Sequence, residues 1–220
     1  MTCGVYGNSP PAPELLLVLQ SVDTVAMYLP REDTLLLTLK NHWVMEARHC
    51  PSPNFNGRPD VDDISLIVIH NISLPPAQFG GPHIDELFCN CLDPQAHPYF
   101  AEIAAMQVSS HFLIRRDGEL VQYVPCDKRA WHAGKSQWQG RENCNDFSIG
   151  IELEGSDHDP YTTAQYARLN ELLGALRQHY GIPPQALAGH DQIAPGRKTD
   201  PGPAFEWARV AGSEMSDKLA

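Results

Sequence analysis

The sequence predicts an α/β (α+β) fold, a central mixed β-sheet flanked by helices. Three observations lead there. Residues 64–69, Ile-Ser-Leu-Ile-Val-Ile, and 147–153, Phe-Ser-Ile-Gly-Ile-Glu-Leu, are apolar, β-branched runs of strand length. Residues 111–115 and 119–124 alternate on either side of Asp117-Gly118, a strong short-range hairpin signal. Tyr166, Leu169, Leu172, Leu173, Leu176 and Tyr180 recur at helical spacing, which predicts a long core-covering helix.

Along the chain, residues 1–44 read as an N-terminal extension of unassigned role. Its start is small and proline-rich, and the apolar clusters at 15–19 and 35–37 suit either a short helix and a strand or a poorly ordered tail. Part of it is expected to precede the natural start. Residues 45–212 form the main domain and 213–220 a short tail. Within the domain, 51–63 is a surface loop rich in Pro, Asn and Gly. The strand at 64–69 ends in His70-Asn71, a polar pair at the carboxyl end, where open α/β sheets gather functional side chains. Residues 74–98 are long, rich in Pro and Gly, and carry one helical piece near 84–91; a segment of that length suits a lid or binding loop. Residues 99–106 read as a helix. Thr162 and Gln165 form a capping box ahead of the long helix, and Gly181 with Pro183-Pro184 stops it. Residues 205–211 read as a final helix.

Composition narrows the function. With 220 residues, 42% hydrophobic and 20% charged, the chain can bury a real core. A formal charge of -11 argues against a nucleic-acid partner, which needs a basic face. Arg115, Arg116, Lys128, Arg129, Lys135, Arg141, Arg197 and Lys198 nevertheless gather in the middle and in one late loop, which leaves room for an anionic small substrate. The six cysteines, Cys3, Cys50, Cys89, Cys91, Cys126 and Cys144, show no Cys-x-x-Cys spacing and read as reduced thiols of a cytoplasmic protein. No membrane-spanning run and no export signal are visible.

Residues 189–202, Gly-His-Asp-Gln-Ile-Ala-Pro-Gly-Arg-Lys-Thr-Asp-Pro-Gly, form a polar loop fixed by glycines and prolines. His190 and Asp200 on it, with His70, supply two nitrogens and one carboxylate. That set leaves a fourth tetrahedral position open and suits a catalytic zinc, with ligand bonds of about 2.0 to 2.2 Å. Glu152, set among Gly150, Ile151 and Leu153, is costly to bury without a task and fits a general base beside a metal-activated water; Glu154 shares its face. Lys198 fits the developing oxyanion of a tetrahedral intermediate. Each has a plainer reading alone: a core histidine, a glutamate paired with an arginine, a solvent lysine.

Four segments taken together are more specific. Val68-Ile69-His70-Asn71-Ile72-Ser73, Arg129-Ala130-Trp131-His132-Ala133-Gly134, residues 145–154 and residues 189–202 resemble, in the same order, the zinc N-acetylmuramoyl-L-alanine amidases, above all the cytoplasmic AmpD type that cleaves 1,6-anhydro-N-acetylmuramyl-L-alanine. The likeness covers residues 45–210. It implies a single domain of the amidase and peptidoglycan-recognition type, one zinc per chain on His70, His190 and Asp200, Glu152 as catalytic glutamate and Lys198 as catalytic lysine. It further implies Asn71, Trp131 and His132 as substrate contacts, Trp131 offering a stacking face to the sugar; Arg141 is expected to meet stem-peptide carboxylates. The implied reaction is hydrolysis of the amide between anhydro-N-acetylmuramic acid and L-alanine in soluble muropeptides, by a cytoplasmic monomer with no nucleic-acid or membrane partner. Two rival readings share the fold: a recognition module that holds muropeptide without cutting it, and an amidase of polymeric wall.

Overall fold

The computed structural model describes residues 37–210. Six strands make its main sheet: β1 (Arg48–His49), β2 (Leu66–Ile72), β3 (Phe112–Ile114), β4 (Leu120–Gln122), β5 (Ser148–Glu154) and β6 (Leu187–Gly189). Their order is β6-β2-β5-β3-β4-β1. β6, β2, β5 and β3 run parallel, β4 returns antiparallel to β3, and β1 lies parallel to β4. The sheet is therefore mixed, as expected. The β3–β4 hairpin turns at Asp117-Gly118; Gly118 has φ +90°, a conformation that a side chain would strain, and its N–H donates to the Arg115 carbonyl at 2.9 Å.

The central strand β5 is buried along its whole length, and its two faces differ in chemistry. Ile149, Ile151 and Leu153 point into the larger apolar cluster with Ile67 and Ile69 of β2. There they meet Tyr166, Leu169, Leu172, Leu173 and Leu176 of α3 (Thr163–Tyr180), which covers that face. By the two-residue period of a strand, Ser148, Gly150, Glu152 and Glu154 turn to the other face, as do Leu66, Val68 and His70 of β2. The polar residues thus stand opposite the helix. On their side lie two smaller apolar clusters, one around Leu66, Val68, Phe147 and Ile193, the other built by α1 (His83–Phe88) and α2 (Phe100–Ile103) against Leu113, Val121 and Tyr123.

The start of α3 is pinned by its capping box. The Gln165 N–H donates to Thr162 Oγ1 and the Thr162 N–H to Gln165 Oε1, both at 3.1 Å. The Gln165 amide then donates to the carbonyls of Glu154 at 2.9 Å and Ile114 at 3.2 Å, so the cap also ties the helix to the ends of β5 and β3. Gly181 closes the helix with φ +69°.

Several expectations are corrected. The helix read over 99–106 is four residues long, Phe100–Ile103; fully buried Phe100 anchors it, and residues 104–110 leave as turn and coil toward β3. The final helix read over 205–211 is one 3-10 turn, Trp207–Arg209, because buried Phe205 and Val210 hold both ends and the Glu206 N–H donates to the Tyr166 hydroxyl at 2.7 Å. Packing also begins before residue 45: Leu37 and Val44 belong to the larger cluster, and Leu39–Lys40 pairs antiparallel with Trp43–Val44. The apolar run at 15–19 and the first two residues of the run at 35–37 lie outside the described residues, as does the tail at 213–220.

Replacing Thr162 with alanine removes the cap acceptor and weakens the tie to β3 and β5. The variant is expected to lose about 1 kcal/mol, read as a lower urea midpoint at unchanged slope.

Candidate active site

Parallel register sets the first two groups side by side. His70 at the carboxyl end of β2 is the Cα partner of Glu152 on β5, and both face away from α3. Gly189, the last residue of β6, pairs with Ile69, so the next residue, His190, comes level with His70. His190 opens the short helix α4 (His190–Ile193), after which the Arg197 and Lys198 N–H groups donate to the Ala194 carbonyl and bend the chain back. The loop closes where the Asp191 N–H donates to the Asp200 carbonyl at 2.9 Å. His190 and Asp200, ten positions apart, thereby meet over His70.

The three side chains touch through three atoms. His70 Nδ1 lies 2.9 Å from His190 Nδ1 and 3.1 Å from Asp200 Oδ2, and His190 Nδ1 lies 3.0 Å from Asp200 Oδ2. Proton accounting shows what those atoms are. His190 Nε2 is 3.1 Å from the Ala133 carbonyl, which can only accept, so Nε2 carries a proton and in the neutral ring Nδ1 is a lone pair. Ser148 Oγ donates to the Cys144 carbonyl at 2.5 Å and can only accept from His132 Nε2 at 3.2 Å. His132 Nδ1 is then a lone pair, and the 2.9 Å contact to His70 Nε2 requires the proton on His70 Nε2. His70 Nδ1 is left as a second lone pair. Burial pushes the His70 imidazole down to about 4, while the Asp200 carboxylate beside it, which would favour a charged ring, opposes the shift; the ring is neutral at pH 7.

Two nitrogen lone pairs and a carboxylate oxygen crowded into a buried triangle repel each other unless a cation joins them. Those separations are close to the edge of about 3.3 Å of a tetrahedron with bonds near 2.0 Å. Hydrogen bonding of the outer nitrogens, Nε2 of His70 and of His190, matches the way metal-binding imidazoles are usually oriented. The donor set fits a zinc ion. Among the described residues, this is the group of His, Cys, Asp and Glu side chains arranged to hold a metal.

A cavity of about 360 Å³ opens over the triad, and Asn71, Trp131, His132, Glu152 and Lys198 line it as well. Glu152 is 8% exposed and its Oε2 is buried with no hydrogen-bond partner. Burial raises its pKa well above the usual carboxylate value; Asp200 adds to the rise and Lys198 opposes it. Lys198 itself is exposed at the rim. Trp131 donates from Nε1 to Asn56 Oδ1 at 2.8 Å, which holds the indole at the wall. The Asn71 amide donates to Asp157 Oδ1 at 2.8 Å and to the Pro201 carbonyl at 3.1 Å, so its NH2 fastens the loop beyond Asp200.

Two expectations change here. Arg141 is not brought to this cavity: its guanidinium pairs with Asp63 and stacks on the Phe147 ring at 3.7 Å, because the ribbon of Gln137–Trp138 and Arg141–Glu142 carries it to another surface. His132 reaches the cavity but also stands behind His70, its ring seated on Gly150, where an added Cβ would lie 2.5 Å from His132 Cγ. Sequence reasoning missed the apolar wall of Leu87, Phe88, Tyr99, Ile103 and Val108. The length and Pro/Gly content of 74–98 marked that region as a binding loop without naming its residues.

It also missed the layer beneath. Arg58, 6% exposed, donates to the carbonyls of Cys126, Asn145, Asp146 and Ser148 at 2.8–3.2 Å, and burial lowers its pKa to about 10. His111 accepts the Gly150 N–H on Nδ1 at 3.0 Å and donates from Nε2 to the Lys128 carbonyl at 3.0 Å. Burial and the Arg58 charge beside it lower its pKa from 6.5 to about 3.

The sequence matches the N-acetylmuramoyl-L-alanine amidase family over residues 60–203, a span holding His70, Glu152, His190, Lys198 and Asp200. The chain belongs to this family. It is 61% identical over 173 residues to the 1,6-anhydro-N-acetylmuramyl-L-alanine amidase AmpD of Escherichia coli (strain K12), covering 79% of this chain and 94% of that protein. Identity to the protein of the same name from Haemophilus influenzae is 54% over 169 residues, covering 76% and 92%. The fold of this amidase is similar to the crystal structure of a Se-Met AmpD derivative, with TM-score 0.77 at 61% identity over 79% of this chain and 97% of that one. It is also similar to the amidase AmiD from E. coli in complex with the substrate anhydro-N-acetylmuramic acid-L-Ala-D-gamma-Glu-L-Lys, with TM-score 0.52 at 32% identity over 68% and 56%.

The His111 shift gives a pH signature for the amidase. A histidine whose folded pKa lies below its unfolded one adds stability above pH 6.5 that is lost as pH falls toward 3. His111→Gln is expected to flatten the fall of unfolding free energy between these limits by up to about one bound proton, measured by urea titrations at stepped pH.

Proposed function

We propose that this chain is a zinc hydrolase of peptidoglycan recycling that cleaves the amide between 1,6-anhydro-N-acetylmuramic acid and the L-alanine of the stem peptide in soluble muropeptides. The observation that carries this reading is the buried triangle of two imidazole lone pairs and the Asp200 carboxylate, with an unpartnered Glu152 carboxyl in the same cavity. The substrate class is supported by the activity for which the AmpD relatives at 54–62% identity are named. One zinc per chain, a monomeric state and a cytoplasmic site of action are part of the proposal. Among the described residues, no helix is long and apolar enough to cross a membrane.

In this reading His70, His190 and Asp200 would hold a zinc ion, which when bound would supply Lewis acidity for the scissile carbonyl and for a water. Glu152, its pKa raised by burial, takes the proton from the attacking water and delivers it to the departing alanine nitrogen. The carbon–nitrogen bond breaks with that transfer, giving a lactyl carboxylic acid and the alanine amine; the acid's proton then passes to that amine, so carboxylate and ammonium leave. Lys198 places an ammonium beside the oxyanion that develops on the carbonyl oxygen. Trp131 presents a ring face to the sugar, while the apolar wall from residues 87–108 keeps bulk water away.

Release of peptide from anhydro-muropeptide and from intact sacculi, followed by mass spectrometry with chelator and with zinc restored, tests the reading. Chelator-sensitive cleavage of the soluble fragment is the expected outcome. Cleavage of sacculi at a comparable rate would replace the substrate, and binding without cleavage by zinc-loaded protein would leave a recognition module. Glu152→Gln is expected to keep stoichiometric zinc and lose about 10²–10⁴-fold in kcat. Lys198→Ala should lose about 10²–10³-fold with zinc content unchanged. Zinc per chain and single-substrate kinetics read both.

A further inference from the structure

Behind the ligand triangle runs a chain of groups whose proton positions follow from one obligate acceptor at its end. The Cys144 carbonyl, which can only accept, takes the Ser148 hydroxyl proton at 2.5 Å. Ser148 Oγ therefore accepts from His132 Nε2 at 3.2 Å, and His132 Nδ1 accepts from His70 Nε2 at 2.9 Å. Ser148 is fully buried and His70 is 1% exposed, so both ends of this chain are shielded from water, while His132 between them is half-buried at the cavity wall. Four further contacts hold His132 in place, two on its backbone and two on its ring. Asn145 Oδ1 accepts the N–H groups of His132 at 3.1 Å and Ala133 at 2.8 Å, the His132 ring packs edge-on to His70 with centroids 5.0 Å apart, and it lies over Gly150, where any side chain would collide with it.

From this geometry we infer that His132 and Ser148 are positioning residues, a directional relay that fixes the tautomer of His70 and so presents its Nδ1 lone pair to the metal. The inference rests on the metal reading given above and extends it to residues that do not touch the ion. The energetic logic follows from tautomer balance. Free imidazole exchanges its proton between two nitrogens at little cost, and a His70 protonated on Nδ1 would aim a proton at His190 Nδ1 and Asp200 and exclude a cation. With Ser148 unable to donate toward His132, the wrong tautomer would leave two lone pairs facing each other across 2.9 Å between His132 and His70. His190 needs no such chain, since the Ala133 carbonyl fixes its Nε2 proton directly.

The same arrangement accounts for two sequence features that catalysis alone does not. Ser148 is a small polar residue at the start of a buried strand, and Gly150 leaves its middle without a side chain. One ends the relay, and the other makes room for the ring.

Zinc affinity measured by chelator competition tests this on three variants of the full chain. His132→Leu keeps bulk but has no acceptor and is expected to weaken zinc binding about 10–100-fold. His132→Asn keeps an acceptor near the position of Nδ1 and should recover most of that loss despite its smaller volume. Ser148→Ala frees the His132 tautomer and should fall between the two. A merely structural role would reverse the order of Leu and Asn. Nitrogen NMR of histidine-labelled, zinc-loaded wild type gives a readout independent of any variant's folding: His132 and His70 should both be protonated at Nε2. A proton on His132 Nδ1, or equal zinc affinity in all three variants, would overturn the relay. Wild type that takes up no zinc would overturn the metal reading itself, and the relay with it.

Discussion

Parallel pairing of β5 with β2 places strands about 4.8 Å apart and puts Glu152 against His70, Gly150 against Val68 and Ser148 against Leu66. Because side chains alternate, a slip of one residue would turn Ile151 and Leu153 toward the cavity and drive Glu152 and Ser148 under α3. No such slip is tolerable: it would bury a carboxyl and a hydroxyl among leucines and expose the strand's apolar face. The hydrophobic pattern that holds the sheet to α3 is thus the same pattern that holds Glu152 beside His70. Register, set by core packing, is the constraint on which the chemistry rests.

Around that register, polar groups are buried only where each has an assigned partner. Among the described residues Arg58 forms no ion pair within 4 Å, and it is satisfied by four backbone carbonyls from the segments that carry Cys126 and Ser148. His111 joins the Gly150 N–H to the Lys128 carbonyl, linking β5 to the chain that leads to Trp131. Two atoms in this layer break the pattern: Glu152 Oε2 and Ser110 Oγ are buried without a partner. For Glu152, which lines the cavity, an unsatisfied oxygen is the expected mark of a group reserved for a substrate or a water. For Ser110 the structure offers no account.

Features carried by short-range rules were legible in the sequence. The alternation of 148–154, the Asp117-Gly118 turn, the Thr162 capping box and the glycine-and-proline-rich loop that brings His190 to Asp200 each follow from local chemistry. Features fixed by distant partners were not. The turn at Trp207–Arg209 is short because Tyr166 and two buried side chains hold it, which no periodicity reveals. Arg141 stands in a basic-looking stretch, yet a ribbon and an aspartate 78 positions earlier decide where it points. His132 likewise carries no local mark of its bond to His70, 62 positions away.

Helix α3 touches the sheet only on the face that the reacting groups avoid. Among the described residues, its outward side shows Ala167, Gly174 and Gln178 to solvent, and the sheet stands between that side and the cavity. A dye or a surface linker joined at Ala167 or Gln178 would therefore hold the molecule in one known orientation, mouth outward, with turnover undisturbed. The described sheet thus has a back and a front, and His70, Glu152 and their neighbours stand on the front.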